Sequence, residues 1–233
     1  MGEACKILHA DSDIVLCVKP SGVLSQDAGE QSMPGLLRSA LGTEEIYPVH
    51  RLDQAVGGVM VYARTAEAAA ALSRQIQRGA WEKTYLAVVE GTPEAPEGEL
   101  VDLLYHDQRR NKTYVATRER RGVKEARLLY RILATEQGRS LVAIRLLTGR
   151  THQIRVQFAS RGLPLVGDGR YGARDRHTPM GLWCFALGFP HPKSAAPMIA
   201  TVPPPDLPPW DGFSRQLLQA VEKGFDNHFV HLI

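Results

Sequence analysis

The sequence predicts an α+β fold, because apolar runs of strand length outnumber helical segments and are spread along the whole chain. Residues 14–19, 59–63, 83–90, 126–134 and 141–147 read as strands, most of them closed off by Gly, Pro, Thr or Ser. Helix signals at both ends mark residues 32–41 and 65–78. The 233 residues, 44% hydrophobic and 23% charged, suffice for a core without staples, and no internal repeat divides them. A single domain over residues 1–233 is expected, ending in a Pro-rich connector and a helix over about 203–224.

Taken in order, the first strand leaves through Lys19-Pro20-Ser21-Gly22, a turn signal. Ser32 then caps a short helix with Pro34 in its first turn and Gly42 just past its end. Residues 59–63 form a buried strand entered through a loop that contains Gly57 and Gly58. Thr65 caps the clearest helix of the chain, which runs to Arg78 and stops at Gly79. The return strand at 83–90 brings Tyr85 back beside Asp53 if the two strands are neighbours. Glu136-Gln137-Gly138-Arg139 joins two β runs into a hairpin, and a further element follows at 154–160. The glycines of 162–172 mark a loop packed against other backbone, the Pro-rich residues 203–209 an extended connector, and a last helix starts at about Phe213.

Two polar clusters stand out from this frame. In the first, His50, Arg51 and Asp53 precede the glycine pair, so that Asp53 lies in the loop entering a core strand. In the second, residues 147–156, Arg150, His152, Gln153 and Arg155 crowd between apolar runs, which is costly to bury without partners. Spacing alone leaves each open: Asp53 caps a turn or serves a ligand, and an aspartate from one loop can pair with an arginine from the other.

Composition narrows the rest. Cys5, Cys17 and Cys184 are odd in number and widely separated, with no ligand spacing for zinc. Lys6 and His9 are followed at once by Asp11 and Asp13, unlike a secretory signal, and no apolar run approaches the ~20 residues of a membrane span. A cytoplasmic protein is expected. The formal charge of +3 permits a polyanionic partner without demanding one.

The HRLD run at 50–53, the run Lys83-Thr84-Tyr85-Leu86-Ala87-Val88-Val89-Glu90-Gly91 and the TGRTHQIR run at 148–155 resemble, in order and spacing, the RluA family of pseudouridine synthases. The resemblance covers about residues 7–192 and includes the Lys19-Pro20-Ser21-Gly22 turn and the Gly167-Asp168 to Tyr171-Gly172 stretch. It implies one short-form catalytic domain without the S4-like module of many relatives, built on a bent, mixed, mostly antiparallel sheet with flanking helices and a central RNA-binding cleft. It also implies conversion of a specific unpaired uridine in rRNA or tRNA to pseudouridine, by a monomer that needs no metal or organic cofactor. Asp53 is then the nucleophile, or the base of a glycal-type route, with Arg155 as its ion-pair partner and Tyr85 stacking on the base or relaying its proton. Arg51, Arg150, His152 and Gln153 become substrate-binding residues.

The sequence also departs from the family: Val56 and Gly57 stand for the usual Thr-Ser, Gln157 for a histidine after HQIRV, and Phe185 for a later histidine. These bear on substrate identity and on the hydrogen bonds of the Asp53 loop, and they keep open an RNA-binding relative with lost or slowed chemistry. A metal or general-base set of His50, His152 and Gln153 lacks ligand spacing, and a glycosidase lacks a second acid beside a motif other than Asp168.

One charged segment remains. Residues 109–131 hold nine basic residues (Arg109, Arg110, Lys112, Arg118, Arg120, Arg121, Lys124, Arg127, Arg131) against Glu119 and Glu125, a balance of +7, so the rest of the chain sums to −4. Such a run is a solvated hairpin face or, beside an RNA site, a phosphate-contacting arm led by Arg109, Arg110, Arg120 and Arg121, with Tyr114 to stack on a base.

Overall fold

The computed structural model describes residues 5–213, so the expected last helix lies, apart from Phe213, outside the described residues. The chain first forms β1 (Lys6–Ala10), β2 (Ile14–Lys19), α1 (Met33–Leu41), β3 (Tyr47–Pro48), β4 (Gly57–Ala63) and α2 (Ala66–Gln77). Next come β5 (Glu82–Glu90), β6 (Glu97–Asp107), β7 (Lys112–Ala116), β8 (Val123–Glu136), β9 (Arg139–Leu146) and α3 (Gln153–Ala159). A single 3-10 turn at Gly169–Tyr171 precedes β10 (Leu182–Pro190) and β11 (Pro197–Thr201). The fold is α+β, as expected. Two compact units divide the described residues: 5–83 with 183–204, and 84–182 with 205–213.

In the first unit β4 is the central strand. It pairs antiparallel with β2 and β3 and parallel with β10, while β1 and β11 extend the sheet from β2 and β10. All seven residues of β4 are buried, which explains its unbroken apolar run. One face of this sheet, Ile14, Leu16, Val59, Val61, Ala63, Leu187 and Phe189, packs against Ala68 and Leu72 of α2 and against Trp81. The spacing of Ala68 and Leu72 puts both on one side of the helix. Thr65 Oγ1 accepts from Ala68 N at 3.1 Å and Ser32 Oγ from Gly35 N at 3.4 Å, so the expected caps form.

The structure corrects the reading of the glycine pair. Gly57 and Gly58 are strand residues, opposite Trp183 and Cys184 of β10, and not part of the loop that enters the strand. A side chain on Gly57 would meet the Trp183 ring, and one on Gly58 (φ +124°) the Cys184 backbone. The requirement is close packing of two parallel strands, and Gly57 meets it where the family's Ser stands. The hydrogen-bonded partners of β4 are β2, β3 and β10, and β5 pairs with β9.

The second unit is an antiparallel sheet in the order β5-β9-β8-β6-β7. The β8–β9 turn is the expected one, with Gln137 (φ 50°) and Gly138 (φ 72°) both left-handed, the geometry of a tight hairpin. The element after TGRTHQ is the helix α3, six of whose seven residues are buried. Val156 packs on Leu104 and Ala126, and Phe158 meets the Tyr130 ring edge-on at 5.8 Å. No helix among the described residues is long and apolar enough to cross a membrane.

Candidate active site

Asp53 lies half-buried on the loop before β4 in the first unit, and the neighbouring 19–25 turn holds that loop in place. The Gln54 carbonyl accepts from Lys19 Nζ (3.0 Å) and Gly22 N (2.8 Å), the Ala55 carbonyl from Ser21 Oγ (2.7 Å), and the Leu52 carbonyl from Ser25 Oγ (2.9 Å). Gln54 Nε2 returns a bond to the Gly22 carbonyl at 3.0 Å. The Lys19 ammonium is fully buried and also donates to the carbonyls of Pro20 (2.9 Å) and Val23 (2.6 Å). Burial pulls it down to about 8, and the Asp53 carboxylate opposes that shift. The Lys19-Pro20-Ser21-Gly22 turn thus fixes the backbone just after Asp53, and Ser25 fixes it just before. Sequence reasoning read Lys19-Pro20-Ser21-Gly22 as a turn at the strand exit and as part of the family resemblance, without this role.

His50 is a pin of the same loop. Its Nε2 accepts from Val61 N at 3.1 Å, and its ring meets Trp81 at 5.2 Å. Burial, and then the nearby Lys83 charge, hold its pKa well below the usual histidine value, so the ring is neutral with its proton on Nδ1. Arg51 is exposed.

In the second unit Tyr85 is buried on β5. Arg155, on α3, is buried with its Nε donating to Asp168 Oδ2 (2.6 Å) and its Nη2 to Asp168 Oδ1 (2.9 Å), a bidentate pair in which Asp168 is 1% exposed. The Arg155 guanidinium also lies over the Tyr171 ring, 5.0 Å from its centre. Tyr171 Oη accepts from Thr113 N (2.8 Å) and bonds His152 Nδ1 (2.9 Å). Burial pushes the phenol up, so it stays protonated. Gln153 is structural in its contacts: its Oε1 accepts from Thr148 Oγ1 (2.8 Å) and Arg150 N (3.0 Å), and its Nε2 donates to the Arg127 carbonyl (3.0 Å).

A cleft of about 590 Å³ opens on this unit. Tyr105, His106, Arg109, Lys124, Arg150 and Thr151 line it, which gathers two of the expected substrate-binding arginines. Arg110, Arg120 and Arg121 are exposed nearby in sequence, with the Arg120 guanidinium 4.9 Å from the centre of the Tyr105 ring. Acids offset part of the basic segment: Arg127 pairs with Glu99 and Arg131 with Glu97, each at 2.7 Å.

Sequence reasoning quoted Asp168 and Tyr171 only within the family's glycine-rich stretch, without their contacts to Arg155 and His152, and missed Thr113 and His106 altogether. A buried arginine requires a carboxylate, and Asp168 in its Gly-rich loop was the signal available. Gln157, at the family's histidine position, is fully buried; its Nε2 donates to Asp102 Oδ2 at 2.8 Å, and its Oε1 has no partner among the described residues. Asp11, Asp13 and His191 form the one described group with metal-ligand atoms within 4.8 Å. His191 Nδ1 accepts from the amides of Lys193 and Ser194, which puts its proton on Nε2, toward Asp11 at 3.1 Å. That tautomer is a hydrogen bond to Asp11, not a ligand arrangement.

The family model described as RNA pseudouridylate synthase matches residues 13–160. An uncharacterized RNA pseudouridine synthase of Zymomonas mobilis is 38% identical over 176 residues, 73% of this chain and 80% of the relative. The dual-specificity RNA pseudouridine synthase RluA of Vibrio vulnificus is 34% identical over 199 residues, 81% of this chain and 79% of the relative. Among solved structures, human RNA pseudouridylate synthase domain containing 1 superposes over 94% of this chain and 95% of that chain with a TM-score of 0.78. At 24% identity that likeness is one of fold.

Proposed function

Because this chain belongs to the RluA family of RNA pseudouridine synthases, an isomerase family, we propose that it isomerises an unpaired uridine in rRNA or tRNA with Asp53 as the essential carboxylate. The N1 to C1′ glycosidic bond breaks, the base turns, C5 bonds to C1′, and the C5 proton is lost while N1 gains one. The observation that supports this reading is the clamped Asp53 loop, where hydrogen bonds from Lys19, Ser21, Gly22 and Ser25 fix the backbone on both sides of a half-buried carboxylate. A preset carboxylate can attack or take a proton without reorganising.

Arg155 keeps the carboxylate ionised by its charge, and Tyr85 stacks on the base or relays its proton. Arg51, Arg109, Arg110, Arg120, Arg121 and Arg150 contact phosphates, while His152 and Gln153 shape the loop that presents Arg150. A base reaches a recessed carboxylate only by leaving its stack, which favours loop or unpaired uridines. The enzyme works as a cytoplasmic monomer without metal or cofactor. The test is incubation of rRNA and tRNA lacking the modification with the parent chain and with Asp53→Asn, followed by pseudouridine mapping.

A further inference from the structure

The β6–β7 cleft contains a histidine whose proton position follows from its neighbours. Thr113 Oγ1 lies 2.8 Å from the Thr151 carbonyl and 3.0 Å from His106 Nδ1. A carbonyl only accepts, so the single hydroxyl proton of Thr113 goes to Thr151, and the hydroxyl oxygen accepts from His106 Nδ1. In the neutral ring the proton is therefore on Nδ1, and Nε2 is a bare acceptor. Among the described residues Nε2 has no hydrogen-bond partner, although the ring is half-buried and held edge-on against His152 at 6.0 Å. The same cleft brings Arg109, Lys124 and Arg150 together with the Tyr105 ring. Neither Asp53 nor Tyr85 lines it.

We infer that this cleft is a subsite for a nucleotide of the RNA other than the reacting uridine, in which His106 Nε2 accepts a hydrogen bond from a nucleotide donor while Arg109, Lys124 and Arg150 hold the adjoining phosphates. The inference rests on the RNA-modifying reading above. Three cations beside a flat ring suit a single-stranded nucleotide, because charge takes the phosphate and the ring takes the base. At about 590 Å³ the cleft has the size of a small-molecule site. A fixed acceptor adds what charge cannot supply, since it discriminates among groups. The donor is either a ribose 2′-hydroxyl or a base N–H.

The imidazole offers its own test, because an asparagine amide stands near the Nδ1 position and a glutamine amide near Nε2. Binding of the full chain is measured by fluorescence anisotropy with a labelled mixed-sequence oligoribonucleotide of about 12 nucleotides and with its 2′-deoxy counterpart. His106→Asn is expected to weaken RNA binding about two- to tenfold, the worth of one neutral hydrogen bond, while His106→Gln stays near the parent. A loss confined to RNA assigns the donor to the 2′-hydroxyl, and a loss shared by the deoxy strand assigns it to a base. The reverse order, with Asn like the parent and Gln weak, would show that His106 serves only Thr113 and would overturn the inference, as would parent-like binding by both. Carbethoxylation of the parent by diethylpyrocarbonate needs no variant: protection of His106 by the oligoribonucleotide supports the subsite, and unchanged labelling overturns it. A parent that binds the oligonucleotide but forms no pseudouridine overturns the proposed function alone, whereas one that modifies RNA while His106 labels freely overturns the subsite alone.

Discussion

Arg155 shows how far single residues are legible. Its place in the HQIR run marked it as a residue needing a carboxylate, but the partner in its own unit, Asp168, came from a glycine-rich loop with no charge pattern to point at it. With Arg155 7% and Asp168 1% exposed at their side chains, removal of either strands a buried charge, and Arg155→Leu or Asp168→Ala is expected to cost about 3–5 kcal/mol of stability. Urea unfolding of the two variants and of the double variant checks this: the double should be less damaged than the sum of the singles, and strict additivity would show that the pair is not coupled. Lys19 makes a different prediction. Its pKa falls from 10.5 unfolded to about 8 folded, so the penalty for burying the ammonium is full below about 8 and relieved as pH rises toward 10.5. The neutral amine has two N–H groups for the carbonyls of Pro20, Val23 and Gln54, one fewer than the ammonium. Turnover is expected to decline above pH about 8 while the unfolding midpoint holds or rises; equal decline of both would mean that the whole unit loosens.

At the scale of elements, caps and turns were the most legible features, because Ser32, Thr65 and the Gln137-Gly138 turn act through bonds to their own backbone. The glycine pair was misread for the opposite reason: its cause is Trp183 and Cys184, more than a hundred residues away in sequence, and no local pattern reports such a neighbour. The two kinds of feature should fail differently. Thr65→Ala removes one cap bond and should cost about 1 kcal/mol with turnover unchanged. Gly58→Ala puts a methyl into the Cys184 backbone at φ +124° and should separate β4 from β10, costing more than the cap variant and lowering turnover through the Asp53 loop. A Gly58→Ala protein as stable as the parent would remove the packing explanation for the pair.

For the whole molecule, fold class and family were legible, since five strand-length runs and three motifs in order survive any local error. The division into two compact units was not, because composition carries no break at residue 83 or 183. Charge is also a property of the whole: the +7 of residues 109–131 stands against −4 elsewhere. Replacing Arg109, Arg110, Arg120 and Arg121 with Gln should weaken RNA binding at low salt and flatten its log–log salt dependence by about 0.7 for each phosphate no longer neutralised, with saturating turnover nearly unchanged. A parent-like slope would place these side chains away from the RNA.

The central claim, a pseudouridine synthase whose essential group is the clamped carboxylate of Asp53, is tested most directly by pseudouridine mapping of unmodified rRNA and tRNA after incubation with the parent chain and with Asp53→Asn. The parent is expected to convert a specific uridine, and the near-isosteric amide is expected to leave folding and RNA affinity intact while abolishing conversion. Conversion by Asp53→Asn at the parent's rate, or none by the parent on either RNA class, would contradict it.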